Sequence, residues 1–258
     1  MPEGDTVHGI ANRIRERVAG RTLRRLGGTA PSTRRHAHRL RGARVDRVEA
    51  VGKHLLIDFS GGWTLRVHLG MTGRWRFGPP TGARGDGPAR VVLETGGWAL
   101  RCYDAPSVSV DRSPKEWAFV SNLGPDLSLA PPDIDEAINR ARRLDGASSV
   151  AEILLDQSVA AGIGNVYRNE VLFELGLHPA TTIEQIDDHL LERILLRASR
   201  HLRANAGRPR TTTGSRRPGM NHYVYERAGK PCRRCGARIR KAIATGRTTF
   251  WCPTCQPV

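Results

Sequence analysis

Apolar residues recur along this chain at two different periods, and the change of period divides it. In residues 5–19, Val7, Ile10, Ala11, Ile14 and Val18 fall on one face at 3.6-residue spacing, so a helix is expected there. Asp5 or Thr6 is its expected cap, and Gly20 follows its end. From residue 44 to about 112 the period shortens. Residues 55–59, 63–68, 89–94 and 98–103 are short stretches rich in β-formers, parted by Ser60-Gly61-Gly62 and Gly96-Gly97 as hairpin turns part strands. An antiparallel sandwich or barrel is expected, with 78–87 as a Pro/Gly loop. Beyond Pro131 helical spacing returns, with helices expected over 132–143, 148–160, 165–175 and 183–204. The last has a clear apolar stripe that includes Leu191, Ile194, Leu195 and Leu202. Residues 206–221 are basic, polar and rich in Gly and Pro, which suggests a loop that is mobile without a partner. The fold class is α+β: an N-terminal helix with an antiparallel β-sandwich, a helical part, and a small cysteine-bearing module. The expected domains are 1–128, 129–222 and 223–258.

Composition narrows the function. At 258 residues, 39% hydrophobic and 26% charged, the chain can bury a core as one large or two small domains, and wholesale disorder is not expected. No window approaches the roughly 18 apolar residues of a membrane span. The start, MPEGDTV, lacks the basic and apolar parts of a secretory signal, so a cytoplasmic protein is expected. Lys and Arg number 41 against 25 Asp and Glu, a net charge of +16. Such an excess calls for a polyanionic partner, most often nucleic acid. Only Lys53, Lys115, Lys230 and Lys241 are lysines. Arginine dominance is what a GC-rich genome writes. A lysine kept in that setting offers an amine that can lose its proton, which a guanidinium cannot. That singles out Lys53.

Three motifs carry candidate chemistry. Cys232 and Cys235, then 16 residues, then Cys252 and Cys255 form two Cys-x-x-Cys knuckles at the separation of a tetrahedral zinc site in a β-ribbon. Such a zinc is structural; disulfides or a redox pair are the alternatives. The turn between the knuckles projects Arg247, which suits bidentate phosphate contact or is a solvated turn residue. Cys102 stands alone in a strand and reads as a buried thiol. Residues 154–179 give two helices joined by the small residues 160–165. The second helix starts at Asn165, whose N-terminal N–H groups and positive dipole end suit an anion, or simply cap a helical hairpin. Finally, loss of Met1 would leave Pro2 at the chain start. An N-terminal secondary amine has a pKa near about 8, so it can attack a sugar carbon and form an iminium. Glu3 beside it could move protons.

Together these residues resemble the formamidopyrimidine-DNA glycosylase and endonuclease VIII family of bifunctional DNA repair enzymes. The resemblance covers the whole chain in order: Pro2-Glu3-Gly4, Gly52-Lys53-His54-Leu55 on an early strand, His68-Leu69-Gly70-Met71-Thr72-Gly73, Leu123-Gly124-Pro125-Asp126-Leu127, the segment 156–179, and Gly246-Arg247-Thr248-Thr249-Phe250-Trp251-Cys252-Pro253. The opening Pro2-Glu3-Gly4-Asp5-Thr6-Val7 looks most like actinobacterial endonuclease VIII members. The segment 154–179 looks like the family's helix–two-turns–helix DNA clamp, and the terminal module like its zinc finger.

The resemblance implies roles. Pro2 attacks C1′ and expels the base, Glu3 protonates the sugar ring oxygen, and Lys53 serves β-elimination of the 3′ phosphate. Arg247 contacts phosphate and serves δ-elimination, Asn165 holds backbone phosphate, and Met71 fills the gap left by an everted base. Cys232, Cys235, Cys252 and Cys255 hold one Zn2+. The implied partner is double-stranded DNA with damaged or abasic nucleotides, met by a monomer. Three departures stand out: Thr6 holds the place of a second family Glu, the strand-contacting Gln or Arg of some relatives is missing, and Gly70 precedes the wedge as Asn122 precedes the 123–127 block. Oxidised pyrimidines are the expected lesions, oxidised purines the alternative. A damaged-DNA binder without catalysis would share the charge and the zinc finger, but it has no reason to keep Pro2, Glu3 and Lys53 together. A zinc-ribbon RNA-binding protein would leave the blocks in residues 1–77 unexplained.

Overall fold

The computed structural model describes residues 1–80, 87–244 and 246–258. Most of the loop expected at 78–87, namely residues 81–86, lies outside the described residues, as does Thr245. The chain divides into two compact units, Met1–Asn122 and Leu123–Val258.

The first unit opens with α1 (Gly4–Val18), which buries Val7, Ala11, Ile14 and Val18 on one face. The N-cap position is Glu3, not Asp5 or Thr6. Both lie inside the first turn, where the Thr6 hydroxyl donates to Asp5 Oδ1 at 3.2 Å. There follow β1 (Leu23–Gly27), α2 (Pro31–Leu40), β2 (Val45–Val51), β3 (His54–Phe59), β4 (Trp63–His68), β5 (Arg74–Gly78), β6 (Val91–Thr95), β7 (Ala99–Tyr103), β8 (Ser107–Arg112) and α3 (Ser113–Val120). Two antiparallel four-stranded sheets result, in orders β1-β6-β7-β5 and β2-β3-β4-β8. Leu55, Ile57 and Leu65 from one sheet and Leu23, Val91 and Leu100 from the other share one buried core with Ile14 of α1. β1, α2 and α3 were not legible in the sequence. α2, for instance, buries just Thr33 and Leu40, too few apolar positions to show a period.

The second unit contains α4 (Ile134–Arg142), α5 (Val150–Ile153), α6 (Asn165–Glu174), α7 (Asp188–Asn205), and a ribbon of β9 (Arg240–Ala244) and β10 (Arg247–Trp251). Two expected helices are corrected. The one placed at 148–160 ends at Ile153 after starting from a Ser149/Glu152 capping box. Beyond it side chains take over the backbone: Asp156 Oδ1 accepts from the Ser158 N–H at 2.8 Å. Gln157 donates to the Leu155 and Ile163 carbonyls and accepts from the Gly162 N–H. Such local competition converts helix into turns. The helix placed at 183–204 is likewise two pieces, a 3₁₀ turn at Ile183–Gln185 and then α7, restarted by the Asp187 side chain accepting from the Leu190 N–H.

Leu127, Ile153, Ile163, Tyr167, Leu172, Ile194 and Leu195 form the helical core. The 123–127 block docks beside the turns: the Ala161 N–H donates to the Pro125 carbonyl, and the Leu127 N–H to that of Ala161. A Cβ on Gly124 would meet the Val159 carbonyl oxygen at 2.2 Å, so the approach requires glycine. The 206–221 segment is a folded loop. The Thr212 N–H donates to the Asn221 carbonyl, Thr213 Oγ1 to that of Met220, and the Thr211 N–H to Asn205 Oδ1.

Candidate active site and metal centre

In the first unit, Pro2 is half-buried immediately ahead of α1, and Glu3 is wholly buried at the N-cap position. With Met1 attached, the Pro2 nitrogen is a tertiary amide and no nucleophile; once Met1 is gone it is a secondary amine at the positive end of a helix. Lys53 is not on a strand, as the sequence reading had it, but at the tip of the β2–β3 hairpin. Val51 pairs with His54, which leaves Gly52 and Lys53 as a two-residue loop. Gly52, at φ +58°, occupies the first loop position, which type II′ turns reserve for glycine.

Met71 lies in the β4–β5 connection and keeps 58% of its surface exposed. Its neighbourhood is tied to that of Lys53 by a pair of imidazoles that sequence reading missed. His54 and His68 pair across β3 and β4, their ring centroids 4.9 Å apart. The Gly70 N–H donates to His68 Nδ1 at 3.3 Å, so that nitrogen is the acceptor and the proton of the neutral ring sits on Nε2. Burial, then His68, Arg66 and Lys53, push the His54 pKa down to about 3. Burial, Lys53 and Arg66 also lower that of His68. Two neutral rings thus support both the lysine turn and the turn carrying Met71.

In the second unit, Asn165 and Arg247 come together although 82 positions separate them. Asn165 begins α6 but does not cap it; the N-cap position is Gly164. Its Nδ2 donates to the Thr248 carbonyl at 2.9 Å. Arg247 is the adjacent ribbon residue, exposed and following Gly246. It borders a hollow of about 660 Å³ with Asp145, Glu152 and Asp156. The ribbon is held to α6 by further bonds that no motif announced. Arg168, wholly buried, donates to the Thr248 carbonyl and to Thr249 Oγ1. Asn169 Oδ1 accepts from the Phe250 N–H at 2.6 Å.

Glu170 is the least expected residue. A buried carboxylate on α6, it accepts from the Tyr223, Val224 and Tyr225 N–H groups and from the Thr212 hydroxyl. It thereby ties the middle of the folded loop, at Thr212, and the segment just after it to α6. The sequence signal, a lone Glu between Asn169 and Val171, was indistinguishable from a solvated helix residue.

The four cysteine Sγ atoms lie within 4.8 Å of one another, Cys235 to Cys252 at 3.4 Å and Cys232 to Cys255 at 3.9 Å. A zinc tetrathiolate with bonds of about 2.3 Å has tetrahedral edges of about 3.8 Å, so the cluster fits one structural zinc with no position left for substrate. Cys102 stays apart, buried on β7, its thiol pushed up to about 12 by burial.

Comparison with known proteins agrees with this geometry. Residues 1–108 match the formamidopyrimidine-DNA glycosylase N-terminal domain, 123–215 the formamidopyrimidine-DNA glycosylase H2TH domain, and 229–258 a zinc finger found in FPG and IleRS. The chain is 39% identical to a probable endonuclease 8 2 of Streptomyces coelicolor, covering 99% of this chain and 94% of that one. It is 40% identical to the DNA-(apurinic or apyrimidinic site) lyase Nei2 of Mycolicibacterium smegmatis, over 99% of each. A structure of Lactococcus lactis formamidopyrimidine-DNA glycosylase, non-covalently bound to DNA containing an abasic site, superposes with TM-score 0.85 at 21% identity over the full length of both chains.

Proposed function

Because the chain belongs to the formamidopyrimidine-DNA glycosylase and endonuclease VIII family, it is a DNA glycosylase with abasic-site lyase activity in base excision repair, and we propose that it removes oxidised pyrimidines through a Schiff base on Pro2. The observation that carries the chemistry is the Pro2-Glu3 pair at the head of α1, with Glu3 wholly buried, in a unit that also presents Lys53 on a hairpin tip.

The steps follow from the residue types. The freed Pro2 nitrogen attacks C1′ of the damaged nucleotide and the glycosidic bond breaks, the base leaving with its electron pair. Glu3 gives a proton to the ring oxygen, the sugar opens, and an iminium joins Pro2 to C1′. The iminium acidifies the C2′ proton; its removal, served by Lys53, expels the 3′ phosphate. Arg247 stabilises the departing 5′ phosphate in a second, δ-elimination, and water hydrolyses the iminium. Asn165 at the start of α6 grips backbone phosphate, and Met71 fills the space of the everted base. In functional terms, 1–128 carries the chemistry, 129–222 the clamp and 223–258 the zinc finger. What supports pyrimidines over purines is the opening Pro2 to Val7 together with relatives named as endonuclease 8. We place the monomer in the cytoplasm, on nucleoid DNA. No helix among the described residues is long and apolar enough to cross a membrane.

Borohydride trapping tests the reading on duplexes containing an abasic site, thymine glycol or 8-oxoguanine. A covalent adduct is expected with the processed chain and not with Pro2→Gly or with a chain that retains Met1, and stronger trapping on thymine glycol than on 8-oxoguanine. The reverse lesion order would assign oxidised purines. Binding without any adduct would make the protein a damage binder without catalysis.

A further inference from the structure

Helix α7 buries Leu191, Ile194, Leu195, Ala198 and Leu202 against the helical core and turns its opposite face outward. There Arg193, Arg200 and Arg203 surround Leu196, which keeps 44% of its surface exposed. With Leu175 and Pro132 they line a hollow of about 720 Å³. Arg197 is engaged by Glu174 at 3.3 Å, but among the described residues the guanidiniums of Arg193, Arg200 and Arg203 have no ion-pair or hydrogen-bond partner. Ser199, at the same hollow, is 2% exposed, and its hydroxyl has no hydrogen-bond partner.

We propose that this hollow on α7 docks an acidic peptide segment bearing one large apolar side chain, presented by a partner protein. Three unpaired guanidiniums offer forked donors that match carboxylates. Leu196, Leu175 and Pro132 give an apolar floor between them, where a buried anchor contributes most of the affinity of such contacts. The Ser199 hydroxyl can serve a peptide carbonyl or a carboxylate, either of which satisfies a group left unpaired in a buried position. A sugar-phosphate backbone matches the charge but leaves the apolar floor wet. Position separates the hollow from the clamp as well. Leu175 is the C-cap of α6 and Asn165 its first residue, so the length of a ten-residue helix, about 15 Å, lies between them.

The test uses the full-length, zinc-loaded protein and two fluorescein-labelled peptides, Asp-Glu-Asp-Leu-Asp-Glu and its Leu→Ser counterpart, followed by anisotropy at about 150 mM salt, where long-range attraction is screened. The leucine peptide is expected to bind about tenfold tighter than the serine peptide, and Arg200→Glu and Leu196→Asp are each expected to weaken it about tenfold. Arg24→Glu, an exposed arginine of the first unit, should leave peptide binding unchanged, and all three variants should nick an abasic-site duplex at the wild-type rate. Equal binding of the two peptides, or equal loss in Arg24→Glu, would reduce the effect to net charge and overturn the proposal. So would a parallel loss of duplex affinity in Arg200→Glu, which would assign the face to nucleic acid. Self-association abolished by Arg200→Glu would overturn it in favour of a second copy of the chain.

Discussion

Asn165 donates its side-chain amide to the main-chain carbonyl of Thr248 at 2.9 Å, so the residue that begins α6 also holds the ribbon strand that starts at Arg247. One amide hydrogen is committed to the protein, and the proposed phosphate contact would use the second. Asn165→Ala should therefore have two effects. Leaving the Thr248 carbonyl short of one donor should cost about 1 kcal/mol of stability, read in urea unfolding. Affinity for an abasic-site duplex should fall about tenfold, the scale of one or two lost phosphate contacts. Unchanged affinity in a folded Asn165→Ala protein would remove Asn165 from the DNA contacts.

Glu170 makes the strongest stability prediction. Its carboxylate receives three backbone N–H groups and a hydroxyl; in Glu170→Ala the three N–H groups lose this acceptor, while the Thr212 hydroxyl keeps the Asn221 carbonyl at 3.2 Å. A loss of about 3–5 kcal/mol is expected, as for other broken buried charge networks. Amide hydrogen exchange at Tyr223, Val224 and Tyr225 should accelerate before global unfolding. Exchange that remains as slow as in wild type would show the loop is held by other means.

Metal removal should act on the ribbon first. The zinc cluster flanks β9 and β10, and Gln256, the residue after Cys255, accepts from the Cys252 N–H and donates to the Leu177 carbonyl. Chelation, or Cys235→Ser, should release this module, since closed thiolate sites contribute folding free energy directly. Trp251, packed edge-on to His178 with centroids 5.5 Å apart, should report the release as a shift in fluorescence. Duplex binding and δ-elimination should fall as Arg247 loses its place, with base release partly retained. Arg247→Ala should mimic that split of activities in a folded chain; equal loss of every step would contradict it.

The neutral His54–His68 pair makes stability depend on pH in a definite direction. With folded pKa values below the ordinary 6.5, that of His54 about 3, the native state binds fewer protons than the unfolded chain throughout that interval. Stability is therefore highest above pH 6.5 and declines as pH falls toward 3. His54→Gln removes one titrating ring, so the decline in urea midpoint between pH 7 and pH 5 should be shallower than in wild type. Identical slopes would mean that the pair is not buried neutral.

How much of this was legible beforehand depended on the range of the interactions. The α1 face, the central strands and the two cysteine knuckles could be read because period, turn chemistry and ligand spacing are local properties of a sequence, and short ordered motifs singled out Pro2, Glu3, Lys53, Asn165 and Arg247 as candidates. The end of α5 at Ile153 was decided by the Asp156 and Gln157 side chains, whose bonds to nearby backbone outweigh a helical apolar pattern. Longer range decided more. Glu170 and the 212 and 223–225 segments lie more than 40 positions apart, as do Arg168 and Asn169 from β10. A polar residue that satisfies a distant backbone looks in sequence like any solvated one. The His54–His68 pair needed the β3–β4 register, and the α7 hollow needed α6 and α7 packed together. The chain's local chemistry determined which groups are available for catalysis and metal binding. The tertiary structure decided which polar groups are buried against which partners, because only folding brings remote donors and acceptors within hydrogen-bonding distance.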